Sequence, residues 1–199
     1  MKRIIVGISG ASGIIYGVRL VSELIRAGVE IHLIVTEAAR RVGDLEIPGG
    51  IEEAEGMADA VYNDDDTAAP PASGTFRCDG MVVAPCSIKT LSGVANAYAE
   101  GLLVRAADCA LKERRRLVLV VRETPLHEGH LRLMTRATQL GAIILPPVPG
   151  FYVRPRSIDD IVNHTVGKIL GLFHMEHDLY PSWEGGMTRP PKRDRAQDV

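Results

Sequence analysis

The sequence predicts an α/β protein of three layers, in which an open, doubly wound parallel sheet carries helices on both faces. Strand-sized apolar runs alternate with helical patterns over short links. Three of these runs, residues 4–8, 81–84 and 117–121, end in a turn that leads into a helix. Such turns emerge at the carboxyl ends of the strands, where ligands bind. Because small residues in the turns let backbone N–H groups approach a phosphate, we expect a crevice for a phosphorylated ligand.

The first half of the chain is predicted to form two strand–helix units and then a less regular stretch. The first helix has apolar residues at helical spacing and a stop at Gly28, and Thr36 is placed as the N-cap of the second helix. The prolines of loop 69–74 exclude a helix or a central strand there. The predicted strands are 3–8, 30–35 and 60–62, and the predicted helices are 13–27, 36–42 and 51–58.

The second half continues the alternation, and a proline-rich loop at 146–150 precedes the last helix. The predicted strands are 79–84, 116–121 and 142–145, and the predicted helices are 88–95, 102–114, 128–140 and 158–173. We expect one domain over residues 1–183. Residues 184–199 contain almost nothing apolar and are expected to be a disordered tail.

Composition narrows the possible functions. The 199 residues have 46% hydrophobic content and a net charge of −2, so no basic field favours nucleic acid or an anionic membrane surface. The longest apolar runs are strand-sized, which argues against a membrane span. A strand-like segment begins near Met1 and leaves no room for a signal peptide, and the three cysteines show no pairing pattern. We therefore expect a reduced, cytoplasmic protein.

The glycine-rich first turn leaves its role open. Ile8 stands where the dinucleotide fingerprint needs glycine, and Ala11 breaks the hydrolase pattern G-x-S-x-G. Its serines fit ligand binding and ordinary turn chemistry about equally well. In the second turn, Ser87 either caps the next helix or binds a ligand, and Cys86 is interpreted as a buried spacer after the strand stop at Pro85.

Charged and aromatic residues add candidates. Arg122 and Glu123 are expected to form an ion pair at a strand's carboxyl end, where the carboxylate could move a proton. Arg105 and Lys112 share a helical face and could reach a site together. Tyr152, in the stiff loop, is suited to closing over a ligand. The His127/His130 and His174/His177 pairs have no third ligand, so no metal site is expected.

Several segments together resemble the UbiX-like flavin prenyltransferase family, whose members were earlier named 3-octaprenyl-4-hydroxybenzoate carboxy-lyases. The likeness covers residues 3–183 in order and at consistent spacing, which is more specific than any single motif. The matching segments are 6–13, 69–74, 85–93, 105–108, 111–115, 122–126 and 149–152.

The resemblance implies a flavodoxin-like or Rossmann-like fold and a transferase activity. Members of this family join the dimethylallyl group of dimethylallyl phosphate to N5 and C6 of reduced FMN, without a metal, and pass the prenylated FMN to a UbiD-like decarboxylase. The resemblance also implies a homo-oligomer, a dodecamer, in which each site is built between subunits.

The same resemblance assigns roles by position. FMN would be held by Gly10, Ala11, Ser12, Thr36, Ser87, Ile88, Lys89, Thr90 and Arg122. The prenyl phosphate would be bound by Tyr152, Lys168 and Trp183, and the catalytic residues would be Ser12, Glu46, Glu123, Lys112 and Arg105. Lys168 stands where arginine is usual. An arginine guanidinium would bind the phosphate by two parallel hydrogen bonds, whereas the lysine ammonium offers only a point charge. Thr36 stands where serine is common and keeps the hydroxyl.

Two other functions remain as alternatives. One is a flavoprotein that decarboxylates peptidyl cysteine, which is disfavoured because the Pro-Ala-Ser-Ala-Asn-Thr type of motif is absent. The other is a subunit that only stores FMN or delivers it to a decarboxylase.

Overall fold

A six-stranded parallel sheet forms the centre of the chain in a computed structural model that describes residues 1–181. Its strands are β1 (Arg3–Ile8), β2 (Glu30–Val35), β3 (Ala60–Asn63), β4 (Gly80–Cys86), β5 (Arg116–Val121) and β6 (Ile143–Ile144). Their order across the sheet is β3-β2-β1-β4-β5-β6. The order reverses between β1 and β4, and a crevice opens at such a switch point in doubly wound sheets.

Helices cover both faces of the sheet, as the sequence predicts. They are α1 (Ile14–Arg26), α2 (Glu37–Glu46), α3 (Gly50–Met57), α4 (Ile88–Ala95), α5 (Leu102–Lys112), α6 (Glu128–Leu140) and α7 (Ile158–Leu172). Side chains alternate across each strand, so Ile4 and Val6 pack on the face with α1, α2, α3 and α7. Ile5 packs on the opposite face with α4, α5 and α6. The predicted fold class is confirmed.

Four differences from the predictions go beyond a one-residue shift at the end of an element. The helix predicted to end at Val42 continues to Glu46, since nothing in the sequence stops it there. The helix predicted to reach Arg114 ends at Lys112, and Arg114 has a positive φ of 56°. Pro85 does not stop β4, which continues to Cys86. The pairing of β4 with β5 shifts register between Val83 and Cys86. Because the regular hydrogen-bond ladder is interrupted there, the N–H that proline lacks is not needed. The loop at 69–74 contains a short 3₁₀ turn, Pro70–Ala72.

Candidate functional site

A cavity of about 570 Å³ opens at the carboxyl edge of the sheet. The first turn, the start of α1 and the end of α2 form one wall, and residues 121–124 after β5 form another. The prolines of loop 146–149 and the first turns of α7 complete it. The cavity thus brings together Ser12, Glu46 and the adjacent pair Arg122 and Glu123, from three segments that are far apart in sequence.

Glu46 caps α1 from a different helix. Gly13 occupies the N-cap position with a left-handed φ of 98° and has no side chain to offer. The Glu46 carboxylate fills that role, because it accepts hydrogen bonds from the Gly13 N–H at 2.8 Å and the Ile14 N–H at 3.0 Å. Burial alone would raise the pKa of Glu46. The hydrogen bonds from Ser12, Gly13 and Ile14, with the charge of Arg122, outweigh burial and hold this pKa below its ordinary value of 4.5.

Arg122 is anchored by its backbone and directs its charge toward the cavity. Its N–H donates to the Cys86 carbonyl at 3.1 Å, which fixes the start of the third turn beside the end of β4. The guanidinium acts electrostatically on both Glu46 and Tyr16. Burial raises the pKa of Tyr16, and the nearby positive charge opposes that rise. The cavity therefore combines one cation with two carboxylates and a phenol.

The expected ion pair between Arg122 and Glu123 is not formed. The Glu123 carboxylate accepts from the Thr124 N–H at 3.0 Å, and no salt bridge within residues 1–181 joins the two side chains. Neighbours in an extended turn point in different directions, so adjacency in sequence does not create the pair. Glu123 is exposed at the cavity mouth.

Ser9 joins the first two turns across the switch point. This serine is 1% exposed, and its hydroxyl donates to the Pro85 carbonyl at 2.9 Å and accepts from the Ser87 N–H at 2.8 Å. Sequence reasoning did not select Ser9, because nothing local distinguishes it from Ser12. Tyr16, which lines the cavity, was not predicted as a site residue either. Its position in the first turn of α1, directly after the glycine-rich turn, could have indicated that it lies at this edge of the sheet.

The predicted caps are present, and the two turns lie at the same edge. Thr36 accepts from the Ala39 N–H, and its own N–H donates to the Ile8 carbonyl at the end of β1. Ser87 accepts from the Thr90 N–H, so this serine is a helix cap. Gly10 faces the start of α2 so closely that a Cβ would lie 2.4 Å from the Ala38 Cβ. Ala11 lies beside it in the same turn.

Lys89 and Ile88 face away from this cavity. They line a second groove of about 590 Å³ between α4 and α6, together with His127 and His130. The rings of these two histidines lie 3.6 Å apart. Within residues 1–181, no three His, Cys, Asp or Glu residues are grouped to hold a metal ion.

The remaining predicted residues form two clusters outside the cavity. Arg105 donates to the Ala72 carbonyl at 3.0 Å and pairs with Asp108. Lys112 pairs with Glu113 at 2.8 Å, and its Nζ atom would lie 2.5 Å from a Cβ at Gly74, so both cations lie along the loop at 69–74. Tyr152 is not among the residues that line the cavity, and its hydroxyl lies 3.0 Å from the Nε2 atom of His164 on α7.

Lys168 is exposed one helical turn after His164. Trp183 and the tail lie outside the described residues.

The buried thiol of Cys86 fits the spacer interpretation. The side chain is fully buried, and burial raises its pKa well above the usual range, so the thiol stays protonated. In the part of the chain that the structure describes, no helix has the length and apolar character needed to cross a membrane.

Comparison with known proteins identifies the family. A family model described as Flavoprotein matches residues 1–170. The flavin prenyltransferase UbiX of Thauera aromatica is 52% identical over 193 residues, which are 97% of this chain and 100% of that protein.

Two solved structures share the fold closely. The crystal structure of AnUbiX (PadA1) in complex with FMN and dimethylallyl pyrophosphate has a TM-score of 0.91 and 44% identity, over 94% of this chain and 99% of that one. A dodecameric FMN-dependent UbiX-like decarboxylase from Escherichia coli O157:H7 has a TM-score of 0.89 and 44% identity, over 92% of this chain and 100% of that one. The chain belongs to the UbiX family of flavin prenyltransferases.

Proposed function

We propose that this chain joins the dimethylallyl group of dimethylallyl phosphate to N5 and C6 of reduced FMN, and that a UbiD-like decarboxylase receives the prenylated flavin. The observation that carries this proposal is the cavity at the carboxyl edge, where Arg122 and the carboxylates of Glu46 and Glu123 meet the first turn. Membership of the family supports it, and so does the structural relative that was crystallised with FMN and dimethylallyl pyrophosphate.

The residues at this edge fit a flavin mononucleotide. The phosphate and ribityl chain of FMN need many hydrogen-bond donors, and the edge offers the hydroxyls of Ser12 and Thr36 and the N-termini of α2 and α4. Gly10 lets the first turn lie against α2, since a Cβ would clash with Ala38. Arg122 adds a cation that suits an anionic ring or phosphate. When bound, reduced FMN supplies the nucleophilic atoms N5 and C6.

The chain's own residues have two tasks in this reaction. Breaking the allylic carbon–oxygen bond leaves a phosphate anion, which needs fixed cations around it, and we assign this task to Lys168, Arg105 and Lys112. Proton movement is the second task, and we assign it to Ser12, Glu46 and Glu123. Glu46 holds Ser12 by a hydrogen bond and stays ionised near neutral pH, so Ser12 can pass a proton toward it.

Three clusters of site residues on one chain imply that neighbouring copies complete each site. Within residues 1–181, the cavity, the Arg105 and Lys112 surface, and the Tyr152 and Lys168 surface are separate from one another. Assembly like that of the dodecameric E. coli relative would bring one cluster from each copy to a common site.

Mixing variants tests this arrangement. Glu123→Gln and Lys112→Ala chains, each nearly inactive alone, are dissociated, mixed in equal amounts and reassembled. If the two residues of a site come from different chains, about a quarter of the sites in random mixed oligomers contain both native residues, and activity returns to that fraction. No recovery above the separate variants would place both residues of a site on one chain.

The reaction itself is tested by mass spectrometry. Anaerobic incubation of the pure protein with reduced FMN and dimethylallyl phosphate should yield a flavin heavier by one prenyl unit, and an unchanged flavin mass rejects the proposal. The storage alternative is separated by Glu123→Gln. A protein that only delivers flavin would still activate a UbiD-like decarboxylase with this change, whereas a prenyltransferase would lose most of that ability.

A further inference from the structure

The first turn and the start of α4 are joined by a buried serine that does not line the cavity. Ser9 is 1% exposed and is not among the residues of the cavity wall. Its backbone N–H donates to the Pro85 carbonyl at 3.2 Å. Its hydroxyl donates to the same carbonyl at 2.9 Å and accepts from the Ser87 N–H at 2.8 Å. Neither the motifs nor the family resemblance gave Ser9 a role of its own.

We propose that Ser9 is a positioning residue for the phosphate of FMN. Its hydroxyl fixes the first turn against the N-terminus of α4, so that backbone N–H groups of both segments stay at hydrogen-bonding distance from one phosphate. The inference rests on the proposed function, in which these two segments hold FMN. Ser9 acts through the backbone and does not touch the ligand.

Both hydrogen bonds of the Ser9 hydroxyl have a settled direction. A backbone N–H can only donate, so the Ser9 oxygen accepts from Ser87. A backbone carbonyl can only accept, so the hydroxyl proton goes to Pro85. A side chain without a hydroxyl therefore breaks both bonds at once, while the backbone of the two segments is unchanged.

Strand pairing is irregular at this end of β4, which makes the side-chain connection important. The ladder between β1 and β4 ends at Gly7 and Val83, whereas β4 continues to Cys86. On the other side of β4, the pairing with β5 shifts register between Val83 and Cys86. Ser9 follows the end of the first ladder, so its hydroxyl joins the two segments where regular pairing has stopped.

The N-terminus of α4 has two backbone donors to offer a ligand. The Thr90 N–H donates to the Ser87 hydroxyl, and the Leu91 N–H donates to the Ser87 carbonyl. The N–H groups of Ile88 and Lys89 come before these, and within residues 1–181 neither has an acceptor. The side chains of Ile88 and Lys89 face the second groove, but their N–H groups belong to the helix end. A phosphate suits such a terminus, because the helix dipole adds to the hydrogen bonds.

The first turn adds donors from the residues that follow Ser9. The Ala11 N–H donates back to the Ser9 carbonyl at 2.8 Å. The N–H groups of Gly10 and Ser12 have no acceptor in the described part of the chain. Hydrogen bonds weaken steeply when the donor is displaced or misaligned. A phosphate shared by the first turn and α4 therefore needs a fixed spacing between them, and the Ser9 hydroxyl supplies it.

A comparison of FMN with riboflavin tests this role, because riboflavin has the same ring and ribityl chain without the phosphate. Both dissociation constants are measured by fluorescence titration of the full chain freed of flavin. We expect the parent protein to bind FMN at least about tenfold more tightly than riboflavin. Ser9→Ala should lower this preference about fivefold or more, by weakening FMN binding while the riboflavin dissociation constant stays within about twofold.

Two further variants control for packing. Ser9→Cys fills the space with a thiol that is a weak hydrogen-bonding group, so it should lose the preference for FMN as Ser9→Ala does. It also carries the test if Ser9→Ala does not fold. Ser92→Ala removes a serine hydroxyl from the same helix, where that hydroxyl accepts from the Asn96 amide at 3.3 Å beside the second groove. Its preference for FMN should stay within about twofold of the parent value.

Four results would overturn the inference. The parent protein could bind riboflavin as tightly as FMN, or the preference for FMN could be unchanged in both Ser9 variants. The Ser9 variants could lose FMN and riboflavin affinity equally, which would make Ser9 a packing residue. Ser92→Ala could lose as much preference as Ser9→Ala. Failure of the proposed reaction is a separate result, because it is an unchanged flavin mass after incubation with dimethylallyl phosphate and not a change in these affinities.

Discussion

Replacing Glu46 tests whether a carboxylate from α2 serves as the N-terminal cap of α1. Gly13 has no capping side chain, so Glu46→Ala leaves the Gly13 and Ile14 N–H groups without their acceptor. The hydrogen bond from the Gly13 N–H is exposed, so water can replace it. The hydrogen bond from the Ile14 N–H is partly buried, so its loss lowers the free energy of unfolding more.

The expected magnitude follows from that geometry. Losing a capping side chain typically lowers the free energy of unfolding by about 1–2 kcal/mol, and the exposure of one bond favours the lower half of that range. For a domain of this size each kcal/mol shifts Tm by roughly 2–4 °C, so a loss of about 1–1.5 kcal/mol should lower the Tm of Glu46→Ala by about 2–6 °C. Glu46→Gln keeps an acceptor oxygen without the charge, so its loss should be about half as large.

Dependence on pH gives an independent check. The folded-state pKa of Glu46 lies below 4.5, so its stabilisation is fully present above that value and is lost as the pH falls through the folded pKa. The difference in Tm between parent and variant should therefore be constant from pH 6 to 8 and shrink below about pH 4.5.

The assay is thermal unfolding followed by circular dichroism at equal protein concentration, without FMN. Asp44→Ala, an exposed change on the same helix, is the control and should shift Tm by less than about 1 °C. A Glu46→Ala protein as stable as its parent, or one whose deficit is as large at pH 4 as at pH 7, would refute the capping role.

Three further changes have expected outcomes. Lys168→Arg should keep or improve the affinity for dimethylallyl phosphate and Lys168→Ala should raise its KM; equal KM values in all three proteins would remove Lys168 from the site. Cys86→Ala should lower the free energy of unfolding by about 1 kcal/mol and leave kcat within about twofold, because the thiol is buried and protonated; a kcat loss above about tenfold would contradict a packing role. Gly10→Ala should weaken FMN binding about tenfold or more, measured by fluorescence titration, because the new Cβ would lie 2.4 Å from the Ala38 Cβ; unchanged affinity would show that the turn can move without consequence.

The elements that depend on local pattern could be predicted from the sequence. Fully buried parallel strands are continuous apolar runs, and β1 and β5 were predicted with the same bounds that the structure has. Thr36 and Ser87 precede helical patterns, and both cap the helices that follow them.

The contacts that form the site depend on tertiary structure and could not be predicted locally. Glu46 reaches Gly13 across 33 residues, which no spacing rule encodes. The tie from Ser9 to Ser87 spans 78 residues and exists because β1 and β4 are neighbours in the sheet. Pro85 continues a central strand because its partner β5 shifts register there, and that shift is a property of the pair of strands.

Arg105 and Lys112, the cations on the surface outside the cavity, are held in weak ion pairs that a phosphate could replace. Arg105 and Lys112 each rest against one acidic neighbour, Asp108 at 2.9 Å and Glu113 at 2.8 Å. These pairs are partly exposed, and such pairs contribute only about 0–1 kcal/mol each, so a phosphate can displace the carboxylates easily. Placing the cations on a different surface from Arg122 also avoids repulsion among like charges before the site is assembled and filled. Under the proposed function, a positive site would form only where copies of the chain meet, and the anion that the reaction releases would hold its cations together.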